Sequence, residues 1–270
     1  MTPAEPASTQ VTDSFVHHPQ GRLFARSWQP AAARHAAAPI VLFHDSLGCV
    51  ELWRDFPAAL AEASGRRVIA YDRLGFGRSD PRGGLLAPDF VAEEAESALP
   101  ALQRALGFGR FVGFGHSVGG GMAVHCAALH PCDCVGLVTE SAQAFVEERT
   151  LAGIRDAKAG FQDPAHFGRL ARYHGEKARW VLDAWTETWL GPAFRAWSLA
   201  AVLPRVRCPL LALHGEHDEF GSTRHPQAIA GQAAGPAHVE IIDGAFHVPH
   251  RERPGRVLAL AIPFLASLPG

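Results

Sequence analysis

Short apolar runs recur along this chain, separated by stretches of helical or turn character. Ile40–His44 (IVLFH), Arg67–Asp72 (RVIAYD), Arg110–Gly115 (RFVGFG), Cys134–Thr139 (CVGLVT), Pro209–His214 (PLLALH) and His238–Asp243 (HVEIID) are rich in β-branched and aromatic residues. Continuous runs of this kind mark strands covered on both faces, as in a parallel sheet. Leu23–Trp28 (LFARSW) reads as an earlier strand. Trp53–Ser64 is helix-like, and Phe90–Leu106 has an acidic start with apolar residues at helical spacing. Gly119–Leu129 reads as a further helix. Strand and helix alternate towards both ends of the chain, which predicts an α/β fold: a mostly parallel central sheet with helices on both faces.

The rhythm breaks between Thr139 and Pro209. That stretch holds no convincing buried strand and is too long for one crossover helix. It contains Trp180, Trp185, Trp189 and Trp197, four of the six tryptophans, together with Phe145, Phe161, Phe167, Tyr173 and Phe194. It is expected to be a helical insertion, residues 140–205, over a core formed by 1–139 and 206–270. Most of its aromatics must pack it down, but some should face the space below, Trp185 among the candidates. Residues 73–84 (RLGFGRSDPRGG) form a Gly/Pro-rich loop. The alanine-rich stretch before Ile40 is expected to be a surface turn, and the first ten or so residues a loose tail.

Chemistry concentrates at the ends of the apolar runs. In GHSVGG, Ser117 has Gly115 two residues before it and Gly119 two after, between a predicted strand and a predicted helix. A strand-turn-helix bend strains the serine backbone and leaves no room for bulky neighbours. The following helix aims N–H groups and a positive dipole end at the hydroxyl. A serine needs a base to take its proton. The loop DGAFHVPH follows the last predicted strand, where ligands collect in a parallel sheet, and offers His247, with His250 as the fallback. An acid must hold the imidazole tautomer. Asp218, in HGEHDEFG after the preceding strand, fits the order Ser…Asp…His, and Glu140 is its rival. An oxyanion site needs two backbone donors. Val118 N–H supplies one, and the loop HDSLG after Ile40–His44 supplies the other, with Ser46 favoured. His44, Asp45, His116 and Glu140 join Trp185 as candidate pocket residues.

Composition narrows the field further. The chain of 270 residues is 47% hydrophobic and 19% charged, with net charge −2 and no clustered basic run, which argues against a nucleic-acid surface. Five cysteines at irregular spacing resemble no disulfide framework, so reduced thiols in a cytoplasmic protein are expected. Cys132 and Cys134 lack the second pair that would complete a metal site, and His214, His217 and Asp218 lack a supporting helix. No metal or organic cofactor is expected. The N-terminal stretch lacks the pattern of a signal peptide, and no run approaches the ~20 apolar residues of a membrane span. A small-molecule substrate is the expected partner, with no nucleic acid and no membrane; the oligomeric state is open.

Taken in order, FHDSLG, YDRLGFGRSD, GFGHSVGGG, LHGEHD and GAFHVPH resemble the α/β-hydrolase fold family, from about Leu23 to Leu265. The resemblance implies a serine hydrolase with the insertion as a helical cap. Relatives with dehalogenase or epoxide hydrolase activity carry an aspartate at the elbow, where this chain has Ser117, so acyl transfer to water is the implied chemistry. Cleavage of a carboxylic ester of a small or medium substrate is the leading expectation. A C–C bond hydrolase acting on a ring-cleavage product uses the same triad and would need an arginine such as Arg172, Arg179 or Arg195. A non-catalytic binding protein of the same fold is the third reading, and perhydrolase or lyase chemistry shares the motifs. The oxyanion loop departs from the usual His-Gly by reading His44-Asp45. Asp45 either adds a carboxylate near the substrate or points away and caps a turn.

Overall fold

The computed structural model describes residues 9–32 and 37–269. The expected tail and part of the alanine-rich turn lie outside the described residues. Eight strands form one sheet: β1 (Gln10–His18), β2 (Gly21–Gln29), β3 (Ile40–Phe43), β4 (Val68–Tyr71), β5 (Phe111–His116), β6 (Cys134–Glu140), β7 (Leu210–Gly215) and β8 (Ala237–Ile242). Their order is β1-β2-β4-β3-β5-β6-β7-β8. β1 and β2 pair antiparallel, β2 pairs antiparallel with β4, and the pairs from β4 through β8 are parallel. Strands β3 to β7 are buried along their whole length, which is why they read as unbroken apolar runs.

Helices cover both faces. α1 (Phe56–Ser64) and α10 (Pro254–Ser267) pack Phe56, Leu60, Val257 and Leu265 against Ile40, Leu42 and Ala70. On the other face lie α2 (Phe90–Glu93), α3 (Leu99–Leu106), α4 (Val118–Leu129) and α8 (Arg224–Gln232). Their buried residues, Val91, Leu102, Met122 and Ile229 among them, meet Val41, Phe43 and Tyr71. The sequence reads α2 and α3 as one helix; a π turn over Glu94–Ala98 joins them and buries Glu94, whose carboxylate accepts the Tyr71 hydroxyl at 2.6 Å. The helix-like segment at Trp53 resolves into a 3₁₀ turn, Val50–Trp53, followed by α1.

Between β6 and β7 lie α5 (Glu148–Gly160), α6 (Pro164–His174) and α7 (Ala178–Leu190). α6 and α7 have a small apolar cluster of their own, with Leu170, Val181 and Leu182 closing on Phe76 of the Gly/Pro-rich loop. Phe194 and Trp197 stack, Trp189 meets both edge-on, and the three rings pack into the larger core. His174 ties α6 down. Its Nδ1 accepts the Gly77 N–H at 2.9 Å and its Nε2 donates to the Leu47 carbonyl at 2.9 Å. A short α9 (Pro249–Glu252) precedes α10. Among the described residues, no helix is long and apolar enough to cross a membrane.

Candidate active site

The residues of interest sit at the carboxyl ends of parallel strands. β5 ends at His116, and α4 begins at Val118, leaving Ser117 alone in the bend with φ 56° and ψ −128°. A non-glycine residue holds such a conformation only where its surroundings enforce it. The Ser117 N–H donates to the Glu140 carbonyl on β6, and its own carbonyl accepts the Gly120 N–H, both at 2.9 Å. The bend leaves no space at its shoulders: a Cβ on Gly119 would lie 2.1 Å from the Phe43 carbonyl oxygen at the end of β3.

Two neighbouring loops bring in the other members. The loop after β7 carries Asp218 and the loop after β8 carries His247. The His217 N–H donates to the Ala245 carbonyl at 2.9 Å, lacing the two loops together. They approach so closely that a Cβ on Gly215 would lie 2.0 Å from the Phe246 carbonyl oxygen. His247 Nε2 lies 3.0 Å from Ser117 Oγ, and its Nδ1 lies 2.8 and 2.9 Å from the two Asp218 oxygens. A fully ionised carboxylate only accepts, so Nδ1 carries the proton and Nε2 presents its lone pair to the serine. Asp218 is fully buried and also accepts the N–H groups of Phe220 and Gly221 at 2.7 and 3.1 Å. Burial pushes its carboxyl up, but the charge and hydrogen bond of His247, with His214 and the Phe220 N–H, outweigh it and hold it below the usual carboxylate range.

A cavity of about 150 Å³ opens on this constellation. Leu47, Ile154, Trp185, Trp189 and Phe220 form its apolar wall, and Asp45, Ser46, Gln143 and Thr150 join Ser117 and His247 as its polar lining. Val118 is the first residue of α4, so its N–H has no partner within the helix. Leu47 also borders a second cavity of about 470 Å³ between α5, α6 and the loop after β3.

Several pocket candidates sit elsewhere than expected. Asp45 and Trp185 line the cavity, but His44, His116 and Glu140 do not; each is almost wholly buried beneath it. Their side chains turn inward to partners within the protein. His44 Nε2 accepts the Arg73 N–H at 3.1 Å. Glu140 bonds to His250 Nδ1 at 2.5 Å, which engages both the rival acid and the fallback base with each other rather than with Ser117. Asp45 Oδ1 accepts the Leu47 N–H at 2.8 Å, closing a turn, and Oδ2 lies 3.4 Å from His116 Nδ1. Its negative charge is therefore matched by a neighbour. Gln143, Thr150, Ile154 and Phe220 were not singled out by the sequence. Phe220, two residues after Asp218, and Gln143, three after Glu140, follow strand ends, which is the one signal that could have found them.

Among the described residues, His116, Glu140 and His250 bring ligand atoms within 4.8 Å of one another. Both His116 nitrogens and the His250 Nδ1 already face protein partners. Cys132 is exposed while Cys134 is buried with its sulfur 3.7 Å from that of Cys208, so the two do not converge on an ion. All five thiols are free. Burial and the nearby Asp72 push the Cys49 thiol up to about 12, leaving it an inert filler. Arg172, Arg179 and Arg195 are exposed, and none is among the cavity-lining residues.

Comparison with known proteins agrees with this architecture. The sequence has no significant match among curated proteins. Proline iminopeptidase from Mycobacterium smegmatis superposes with a TM-score of 0.75 at 23% identity, covering 94% of this chain and 98% of that one. The enol-lactonase from Burkholderia xenovorans gives 0.71 at 20% identity over 94% and 100% of the two chains. Est816, an N-acyl homoserine lactone degrading enzyme, gives 0.67 at 23% identity over 93% and 100%. At these identities the likeness is one of fold. A family model for the alpha/beta hydrolase fold matches residues 38–184, more than half of the sequence, and the chain belongs to the α/β-hydrolase fold family.

Proposed function

We propose that the protein is a serine hydrolase that cleaves a carboxylic ester of a small or medium substrate through an acyl-enzyme. The observation that carries this reading is the unbroken line from Ser117 Oγ through His247 to Asp218, opening on a largely apolar cavity. In this mechanism His247 Nε2 takes the Ser117 proton as Oγ attacks the carbonyl carbon. Asp218 holds the Nδ1 proton and stabilises the imidazolium that forms. The oxyanion is received by the N–H groups of Val118 and Ser46. His247 then gives its proton to the departing alcohol. Water, deprotonated by the same imidazole, releases the acid and restores Ser117. The helices within 140–205 act as the cap, with Trp185 and Trp189 bounding the substrate. An apolar wall, with Asp45 as the carboxylate in the lining, suits an uncharged acyl or alkyl group rather than a free carboxylate.

Fluorophosphonate labelling followed by peptide mass spectrometry tests this directly. Label is expected on Ser117 in the wild type and absent from His247→Ala. Folded wild-type protein that takes no label on Ser117 would overturn the proposal and favour a binding role.

A further inference from the structure

The proposed mechanism leaves a charged cluster behind the triad without a role. His116, between Gly115 and Ser117, is 1% exposed. Its Nε2 lies 2.8 Å from the His247 carbonyl oxygen, which can only accept, so Nε2 carries a proton. On the other side its Nδ1 faces Asp45 Oδ2 at 3.4 Å. The same carboxylate shapes the turn that holds Ser46, through the Leu47 N–H, and Arg73 donates to the Asp45 carbonyl at 2.8 Å. One imidazole thus touches three separate pieces of the site: the elbow, the loop of the second oxyanion donor and the loop of the base.

We infer that His116, as an imidazolium paired with Asp45, is a positioning residue that fixes the oxyanion loop and the His247 loop relative to Ser117. Its effect on turnover rests on the serine-hydrolase reading. The charge count supports the ionised form. Asp45 from the loop after β3 and Glu140 from β6 supply two carboxylates, while His250 from α9 packs its ring 5.0 Å away and His247 5.1 Å away. Burial depresses His250, so it does not supply a reliable cation. Burial alone would lower His116 as well, but the Asp45 hydrogen bond and the charges of Glu140 and Asp45 raise it to about 9. Loss of its Nδ1 proton keeps the bond to the His247 carbonyl and turns a lone pair towards the Asp45 carboxylate. The attraction between the two loops then becomes a repulsion at the turn carrying Ser46.

Two measurements on the full chain test this. In NMR titration of the histidine rings, one imidazole should titrate near pH 9 and be missing from His116→Gln. If no imidazole titrates above about pH 8, well beyond the ordinary histidine range, the ion pair is refuted. The rate of Ser117 labelling by a fluorophosphonate should fall in the wild type above about pH 9. Asp45→Asn should move that fall towards neutrality by roughly one pH unit or more, because a carboxylate partner within about 4 Å shifts a pKa on that scale. A merely structural role would lower the rate without moving the profile, and an unmoved alkaline fall in Asp45→Asn overturns the positioning role. If the wild type takes no label, the hydrolase reading fails, and the ring titration still decides the ion pair.

Discussion

Replacing Gly119 by alanine probes the elbow with a single methyl group. The added Cβ would lie 2.1 Å from the Phe43 carbonyl oxygen and 2.6 Å from that of His44. A carbon–oxygen contact is comfortable at roughly 3.3 Å or more, so β3 and α4 must part by about 1 Å. The added Cβ is fixed to the α4 backbone and meets backbone oxygens, Phe43 and Gly119 are both buried, and no rotamer change absorbs the clash. Overpacking a core with side chains costs about 1–3 kcal/mol, and with main chain on both sides the upper end applies. About 3 kcal/mol corresponds to a fall in Tm of roughly 6 °C for a chain of this size. The same shift carries Ser117 and Val118 away from Ser46, and a misplacement of about 1 Å costs on the order of 10²-fold in rate. Calorimetry and fluorophosphonate labelling read the two effects. Gly109→Ala is the control, since a Cβ there meets nothing within 4 Å. A Gly119→Ala variant with wild-type Tm and wild-type labelling rate would refute the claim that close backbone approach builds this site.

Asp218→Asn should lower kcat on the order of 10⁴-fold in ester hydrolysis, because the amide favours the wrong His247 tautomer. A loss under about tenfold would remove Asp218 from the mechanism. The Tm should also peak near pH 6.5, the unperturbed histidine value. His225, buried beside Phe145 and Glu147, is depressed by burial to about 4 despite the Glu147 charge, so its contribution to stability is lost as pH falls from about 6.5 towards 4. His116 is raised to about 9, so its contribution is whole below about pH 6.5 and lost as pH rises through 9. Each group changes stability by up to about 1.4 kcal/mol per pH unit inside its window. His116→Gln should flatten the alkaline side; an alkaline fall in Tm that persists in that variant counts against the assignment.

Much of this architecture was legible because its physical causes are local. The parallel strands β3 to β7 are covered on both faces, so their sequences are largely apolar and need no partner to be recognised. β1 escaped because it is an antiparallel edge strand, mostly polar and mostly exposed, whose few apolar residues include Val11 and Phe15, each about half exposed. The π turn within α2–α3 escaped because it follows from burying Glu94 under Tyr71, a tertiary contact. Ser117 stood out through the glycines its bend demands, and His247 through its place after the last strand. The pocket lining did not, since adjacency in sequence does not say which way a side chain turns. His44 and His116 are neighbours of Asp45 and Ser117, yet they point into the protein while Asp45 and Ser117 reach the cavity.

The choice between Asp218 and Glu140 shows what the fold adds. Glu140 ends β6 and Asp218 follows the end of the adjacent parallel strand β7, and either spacing satisfies the order of a triad. What separates them is how the site distributes its carboxylates among its histidines. Glu140 is engaged by His250, Glu147 by His225 and Asp45 by His116. Asp218 is engaged by His247, the ring whose other nitrogen reaches Ser117. A carboxylate buried without a partner would be costly, so each pairing constrains the others. Moving Glu140 to His247 would strand His250 and leave Asp218, already held by the Phe220 and Gly221 N–H groups, as an uncompensated charge. Which carboxylate His247 holds is thus a property of the whole set of pairs at the carboxyl edge of the sheet, and no single motif carries it.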